Sequence, residues 1–211
     1  MVNRHDNAIS LAVSADQWRL YRLRKADSAF VSIEQKVFKR DNYCCRFCDF
    51  QSMQHMTVIN RDGNYLNNRL SNLVTACPLC EQCFFLESVG KGEFGGGVLI
   101  YLPEFSQNEL NALCHLLFCS IATGNSFAKQ AKNTLRDFKL RAQIVEKNIG
   151  LGLSNPALYG QVLIDASPER QVNEVHKNLQ QKIRLLPSLH HFSKQVSAWV
   201  KEATHAMISK D

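Results

Sequence analysis

Eight cysteines in 211 residues are the side chains best suited to chemistry here, and four of them form two Cys-x-x-Cys knuckles. These are Cys45-Arg46-Phe47-Cys48 and Cys77-Pro78-Leu79-Cys80, with 28 residues between them. A two-residue turn presents two sulfurs on one side without strain, so two such turns supply the four ligands of a tetrahedral Zn2+ site, with sulfur at about 2.3 Å. Backbone N–H groups inside each turn can donate to the thiolates and help keep them deprotonated. An iron–sulfur spacing and a thioredoxin-like helix context are both missing, which favours zinc over a cluster or a redox dithiol. Four cysteines leave no coordination position for water or substrate. The pattern therefore predicts one structural zinc per chain, contributing to folding rather than to rate. Two further cysteines are alternates. Cys44 adjoins Cys45 but would break the two-residue turn with Cys48; Cys83 makes a second x-x-Cys step from Cys80 and could replace Cys77, leaving Pro78 outside the knuckle.

A catalyst would need a second constellation beside such a site. His55 is the nearest candidate, and it sits in a polar stretch without a carboxylate or second histidine at usable spacing, so it reads as a surface residue. Gly90, Gly92, Gly95, Gly96 and Gly97 invite a phosphate-loop reading, but no Gly-Lys-Ser/Thr follows; they read as a flexible turn feeding a strand. Cys114 and Cys119 lie in an apolar run and read as buried free thiols. Arg22, Arg24 and Lys25, and the basic residues from Lys129 to Arg141, are mixed with acidic ones and read as solvated faces. Phe84, Phe85 and Phe94 belong either to the core or to a partner groove.

The elements that must hold the knuckles follow from periodicity. Ala12–Tyr21 reads as a short strand or two. Ser32–Arg40 reads as a helix capped by Ser32, with Val31, Ile33, Val37 and Phe38 apolar. Thr57–Ile59 reads as a strand, followed by the turn-rich Asn60–Asn64, and Val98–Leu102 as another strand. The pattern turns helical after Pro103. Ser106 and Glu109 stand at capping-box spacing ahead of Leu110, Leu113, Leu117, Phe118 and Ile121, and Gly124 ends that helix. Further helices are predicted over Ser126–Lys147, from Asn155-Pro156 through Leu163, over Ser167–Pro187, and from Ser188 to about Met207 with Val196, Trp199, Val200 and Ala203 on one face. The fold class predicted is α+β. A zinc-stabilised region with short strands over 1–103 packs against a helical region over 104–211 as one compact unit.

Composition narrows the function classes. Apolar residues make up 45% and charged residues 21%, as in an ordinary globular chain. No apolar run is long enough to span a bilayer and no signal-peptide pattern opens the chain, so a cytoplasmic location is expected. The formal charge of +6 falls to about +4 once four thiolates and a dication are counted. The basic excess avoids the knuckle region: residues 51–124 hold three basic and six acidic side chains, against thirteen and seven over 125–211. That is a poor footprint for nucleic acid, and none is expected as a partner.

Two resemblances add to this. Arg40-Asp41-x-x-Cys-Cys-x-x-Cys, the turn at Asp62-Gly63, and Asn72-Leu73-Val74-Thr75-Ala76-Cys77-x-x-Cys80 resemble the zinc frame of the HNH endonucleases. That likeness implies a ββα fold in which a histidine before the turn activates water and another on the helix helps hold a catalytic ion. Asn60 falls at the first position and Glu81-Gln82 at the second. Asparagine cannot serve as a general base at neutral pH, so a frame without its catalyst is expected and no residue is assigned a catalytic role.

A longer set of runs covers most of the chain. Trp18–Tyr21, Glu34–Phe38, Asn67–Cys77, Gln82–Phe85, Glu87–Gly90, the glycine cluster into Leu99–Glu104, and Ile183–Pro187 resemble the IcmJ/DotN family of the Dot/Icm type IVB secretion system. The resemblance implies a non-catalytic adaptor of the coupling complex, associated with the inner membrane only through partners. Those partners would be the C-terminal extension of the coupling ATPase DotL, with DotM, IcmS and IcmW in the same complex, and the role would be support of effector export.

Overall fold

Two helices deliver the chain to the first knuckle. In the computed structural model, which describes residues 8–166 and 181–208, α1 (Ala15–Lys25) and α2 (Ser28–Arg40) are joined through Asp27, whose carboxylate accepts from the Ala29 N–H and caps α2. α1 replaces the strand expected over Ala12–Tyr21. No strand forms there; ahead of α1 the Ala12 N–H donates to the Cys83 carbonyl and its carbonyl accepts from Leu86. Helix prevails because Trp18, Tyr21 and Arg24 recur at helical spacing and find partners inside: Tyr21 and Arg24 are buried and Trp18 half-buried. α2 likewise starts four residues before Ser32. Val31 is left exposed, and Phe30 joins Val37 and Phe38 in the core instead.

The knuckles flank a hairpin. β1 (Thr57–Asn60) and β2 (Leu73–Ala76) pair antiparallel, with Thr57 opposite Ala76 and Asn60 opposite Leu73, and all eight residues are buried. Cys77 then opens the short helix α3 (Pro78–Glu81), Pro78 filling a first-turn position whose N–H has no helical partner. This β1-β2-α3 unit is the HNH-like ββα arrangement, and the fold is α+β.

A second antiparallel pair joins distant parts of the chain. β3 (Gly97–Tyr101) meets β4 (Ile183–Pro187), Gly97 opposite Pro187 and Tyr101 opposite Ile183. The helix expected over Ser167–Pro187 is corrected at its end; its earlier part lies outside the described residues. Ile183 and Leu186 stand at a helical step, and a short apolar run buried on both faces cannot be assigned by period alone. Pairing with β3 decides it.

Helices make up most of what remains. α4 (Gln107–Thr123) carries the expected Ser106/Glu109 capping box and ends at Gly124, whose φ of 64° lies in the left-handed region. The single helix expected over Ser126–Lys147 is two, α5 (Ala128–Leu140) and α6 (Ala142–Asn148). The break falls at Arg141, whose carbonyl accepts from the Tyr101 N–H of β3 and whose guanidinium reaches Glu104 at 2.8 Å. α7 (Pro156–Asp165) is capped by Asn155, and α8 (Ser193–Ile208) turns Val196 and Trp199 inward, with Val200 half-buried and Ala203 exposed. No helix among the described residues is long and apolar enough to cross a membrane. The main core holds the four knuckle cysteines together with residues of β3, β4, α4 and α8, among them Leu99, Leu110, Phe118, Leu185 and Trp199.

One polar clamp fixes the first knuckle to the hairpin. The Asp41 carboxylate accepts from Arg40 at 2.9 and 3.0 Å and from the Thr75 N–H at 2.9 Å, while Arg40 also donates to the carbonyls of Leu70 and Leu73. Burial would raise the Asp41 carboxyl, but the hydrogen bonds from Arg40 and Thr75 outweigh it and hold the carboxyl below its ordinary value of 3.8. Asp41→Asn is expected to cost about 2 kcal/mol in urea unfolding at pH 7. Because the folded value is the lower one, the advantage of the wild type is complete above pH 3.8 and disappears as pH falls below it.

Candidate metal centre

The sulfurs of Cys45, Cys48, Cys77 and Cys80 all lie within 4.8 Å of one another, and every one of these residues is buried. Each knuckle is shaped by its own turn. In the first, the Cys45 N–H donates to Phe50, the Asp49 N–H donates back to Cys45, and Asp49 takes a φ of 60°. In the second, the N–H groups of Cys80 and Glu81 both donate to the Cys77 carbonyl as α3 begins. The two turns are tied across β2 by the Arg46 N–H, which donates to Thr75 at 2.9 Å.

The donor set fits a soft dication. Burial, followed by hydrogen bonding among the crowded sulfurs, pushes the Cys77 and Cys80 thiols well above their ordinary range. Cys45 is pulled well below it: burial opposes this, and hydrogen bonds from Cys48, Cys77 and Cys80 prevail. Four sulfurs that cannot all ionise on their own are the chemistry of a site completed by a cation. Cys45, Cys48, Cys77 and Cys80 would hold zinc with every position filled by protein.

Around the cluster stands a set of polar groups that spacing within the knuckles does not reveal. From α4, the Asn111 side-chain amide donates to Cys80 Sγ at 3.2 Å, and His115 Nε2 lies 3.2 Å from Cys77 Sγ. The His115 ring stacks on Phe50 with centroids 3.6 Å apart and planes 2° from parallel, and Trp199 of α8 meets it edge-on at 4.9 Å. One turn earlier, Gln107 bonds Asn111 and both backbone groups of Leu185 in β4. The signal that could have found them is a polar stripe, Gln107, Asn111 and His115 at four-residue steps, inside an otherwise apolar helix.

At the place where a nuclease would keep its general base, Asn60 is fully engaged. Its amide donates to the carbonyls of Asn64 and Asn67 at 2.8 Å, and its oxygen accepts from Arg24. Arg24 also donates to the Val58 carbonyl at 2.8 Å, and its guanidinium lies 4.1 Å from the centre of Phe30 and 4.9 Å from that of Tyr65. The second family position is closed the same way. Burial, then the Glu81 charge, push the Tyr21 phenol well above its ordinary value, so it stays protonated and donates to Glu81, which Lys25 reaches at 2.6 Å. The basic run of α1 is thus divided: Arg24 and Lys25 face this interior network, and Arg22 lies over the Trp18 ring. From Lys129 to Arg141 the basic side chains are exposed or half-exposed, as expected of a solvated face.

The other sequence candidates lie apart. Cys83 is buried beside the cluster but donates to the Leu79 carbonyl at 3.5 Å, and burial pushes its thiol up to about 12. Cys44 is half-buried and points to the Asp49 carbonyl. Cys114 is buried as expected, whereas Cys119 is only half-buried. His55 is exposed and lines, with Arg22, Lys25, Glu81 and Glu93, a polar cleft of about 460 Å³ at the Thr57 end of β1, opposite Asn60. Asp62 is tied at the turn by Asn67 and Asn72. Phe85 is core, and Phe84 and Phe94 are half-buried against it or its neighbours.

Arg24 is the group that makes the old catalytic position structural. Arg24→Ala is expected to cost about 3 kcal/mol of folding stability by leaving Asn60 and the Val58 carbonyl unpaired inside. Arg24→Lys should recover little of it in the same urea titration, because an ammonium lacks the planar fork.

No family model matches the chain. The type 4 apparatus protein DotN of Legionella pneumophila subsp. pneumophila (strain Philadelphia 1) is 50% identical over 201 residues, which cover 95% of this chain and 93% of that protein. Identity at that level across nearly both whole chains shows the family. The chain belongs to the IcmJ/DotN family.

Proposed function

We propose that this chain is a non-catalytic, zinc-containing adaptor of a type IVB secretion coupling complex, held in the cytoplasm and brought to the inner membrane by its partners. Its partner is the C-terminal extension of the coupling ATPase, with DotM, IcmS and IcmW equivalents in the same complex, and its work is support of effector export. The observation that carries the non-catalytic part is the occupation of Asn60 and Glu81 by the chain's own Arg24, Tyr21 and Lys25. The Asn60 amide and the Glu81 carboxylate are both spent on partners from the chain itself. Likeness to DotN over 95% of the chain supports the place in a type 4 apparatus. The zinc belongs to Cys45, Cys48, Cys77 and Cys80, whose sulfurs alone among the described histidine, cysteine and carboxylate side chains gather in this way. In this reading residues 1–103 and 104–211 form one unit, consistent with the β3–β4 pairing that joins them.

Metal analysis tests the ligand assignment. About one zinc per chain is expected, and Cys45→Ser or Cys80→Ser should lose it and lower the melting temperature, since structural zinc binding is folding free energy. Cys44→Ser and Cys83→Ser should retain it; greater metal loss from Cys83→Ser than from Cys77→Ser would overturn the choice of ligands. Acidification should release the ion, protons competing for the thiolates.

For the adaptor role, the purified chain should co-elute with a recombinant C-terminal extension of its coupling ATPase and show no Mg2+- or Mn2+-dependent cleavage of DNA. Metal-dependent cleavage lost on changing His55 or Asn60 would reverse the conclusion.

A further inference from the structure

The cysteine cluster draws its first-knuckle and second-knuckle sulfurs from residues 45–80, yet the side chains that reach toward those sulfurs come from α4, in the other half of the chain. Asn111 Nδ2 stands 3.2 Å from Cys80 Sγ and His115 Nε2 stands 3.2 Å from Cys77 Sγ. The two lie four residues apart, one helical turn, and so address the two sulfurs of one knuckle from one face. Asn111 is oriented for this by Gln107, whose amide donates to Asn111 Oδ1 at 2.9 Å, leaving the Asn111 amide hydrogens for Cys80 and the Leu79 carbonyl.

The tautomer of His115 follows from its surroundings. Among the described residues Nδ1 is buried without a hydrogen-bond partner, and the ring lies flat on Phe50 with Trp199 steeply inclined against both rings. A proton on Nδ1 would leave that N–H unsatisfied and turn a bare nitrogen lone pair on Nε2 toward a sulfur. With the proton on Nε2, the N–H points at Cys77 and only a weakly demanding lone pair faces the rings. Four thiolates around a dication keep about two net negative charges in a buried place. Hydrogen-bond donors aimed at those sulfurs are what such a site requires, and groups in this position typically alter metal affinity about 10–100-fold.

We propose that α4 completes the metal centre: Asn111 and His115 donate to the Cys80 and Cys77 thiolates, so that the ion is retained only while the C-terminal half is docked on the knuckles. This rests on the zinc assignment above and goes beyond it by giving two non-ligand residues a role in metal retention. Coupling of this kind is reciprocal, so the bound ion in turn holds α4 in place.

The test uses the full chain and Co2+ as a spectroscopic substitute for zinc. His115→Phe keeps a ring on Phe50 and removes the N–H; Asn111→Leu removes the other donor; His115→Gln returns an amide N–H at similar reach. In His115→Phe and Asn111→Leu, transfer of the metal to a chelator should quicken about tenfold or more. The sulfur-to-cobalt charge-transfer band should move to longer wavelength, because a thiolate relieved of a hydrogen bond gives up its electrons more easily. His115→Gln should recover most of both. A role confined to packing would leave the band in place. Folded His115→Phe with wild-type transfer rate and band position overturns the proposal, and if His115→Phe does not fold, Asn111→Leu decides by the same two readouts. A wild-type chain that yields no tetrathiolate cobalt spectrum overturns the zinc assignment itself, an outcome distinct from the other.

Discussion

Four buried sulfurs within 4.8 Å of one another cannot all carry charge unless something positive sits among them. That constraint organises the N-terminal half. Between the knuckles the chain offers two four-residue strands and a turn full of asparagines, and the strands pack through Ile59 and Val74 on Tyr21 and Phe85 and through Val58 and Leu73 on Phe30, Val37 and Phe38. The sulfurs join the ends of that hairpin to the main core, and the Arg40–Asp41 clamp repeats the junction with hydrogen bonds a few residues earlier.

Asn60, at the position where the HNH frame carries its base, is a framework element of this chain. A histidine there would need one face open to water and substrate. Asn60 instead spends its amide on two turn carbonyls and its oxygen on Arg24, and Arg24 is enclosed by Phe30, Tyr65 and Tyr21. The geometry that positions a base in a nuclease also suits a hub that closes the excursion between two strands. Glu81, at the other family position, stands at the centre of a Tyr21–Lys25 network. Helix α1 supplies the plug in both cases.

The same interior explains why some elements are legible in the sequence and others are not. Signals closed within a few residues read correctly: the Ser106/Glu109 capping box, Asn155-Pro156 and Gly124 each satisfy their own backbone locally. α1 does not read as a helix because its inward face is Tyr21 and Arg24, polar side chains whose burial makes sense only once Asn60 and Glu81 stand opposite. β4 reads as a helix because Ile183 and Leu186 stand at a helical step and the strand is buried on both faces, with no alternation to mark it; β3, more than eighty residues earlier, settles the matter. The break at Arg141 is set by the same strand, through a carbonyl diverted to Tyr101. Asn111 and His115 are illegible for a related reason. On a helical wheel they interrupt an apolar face, which counts against burial until the sulfurs of Cys80 and Cys77 are known to lie opposite.

The polar interior also ties the two halves of the chain together. A chain of hydrogen bonds runs from Leu185 in β4 through Gln107 and Asn111 to Cys80, and Trp199 of α8, His115 of α4 and Phe50 beside the first knuckle meet as a triangle of rings. Glu202 adds a third link, accepting from Ser52 and from the Met53 N–H at 2.8 Å. Each tether is short and directional, so the helices of the second half cannot slide on the knuckle region without breaking buried hydrogen bonds. A partner segment that binds by fitting against those helices meets a surface fixed in advance, and less of the binding free energy goes into ordering it. Rigidity of that kind is what a closed four-cysteine site supplies, and it is of more use to a scaffold than to an enzyme that must open and close.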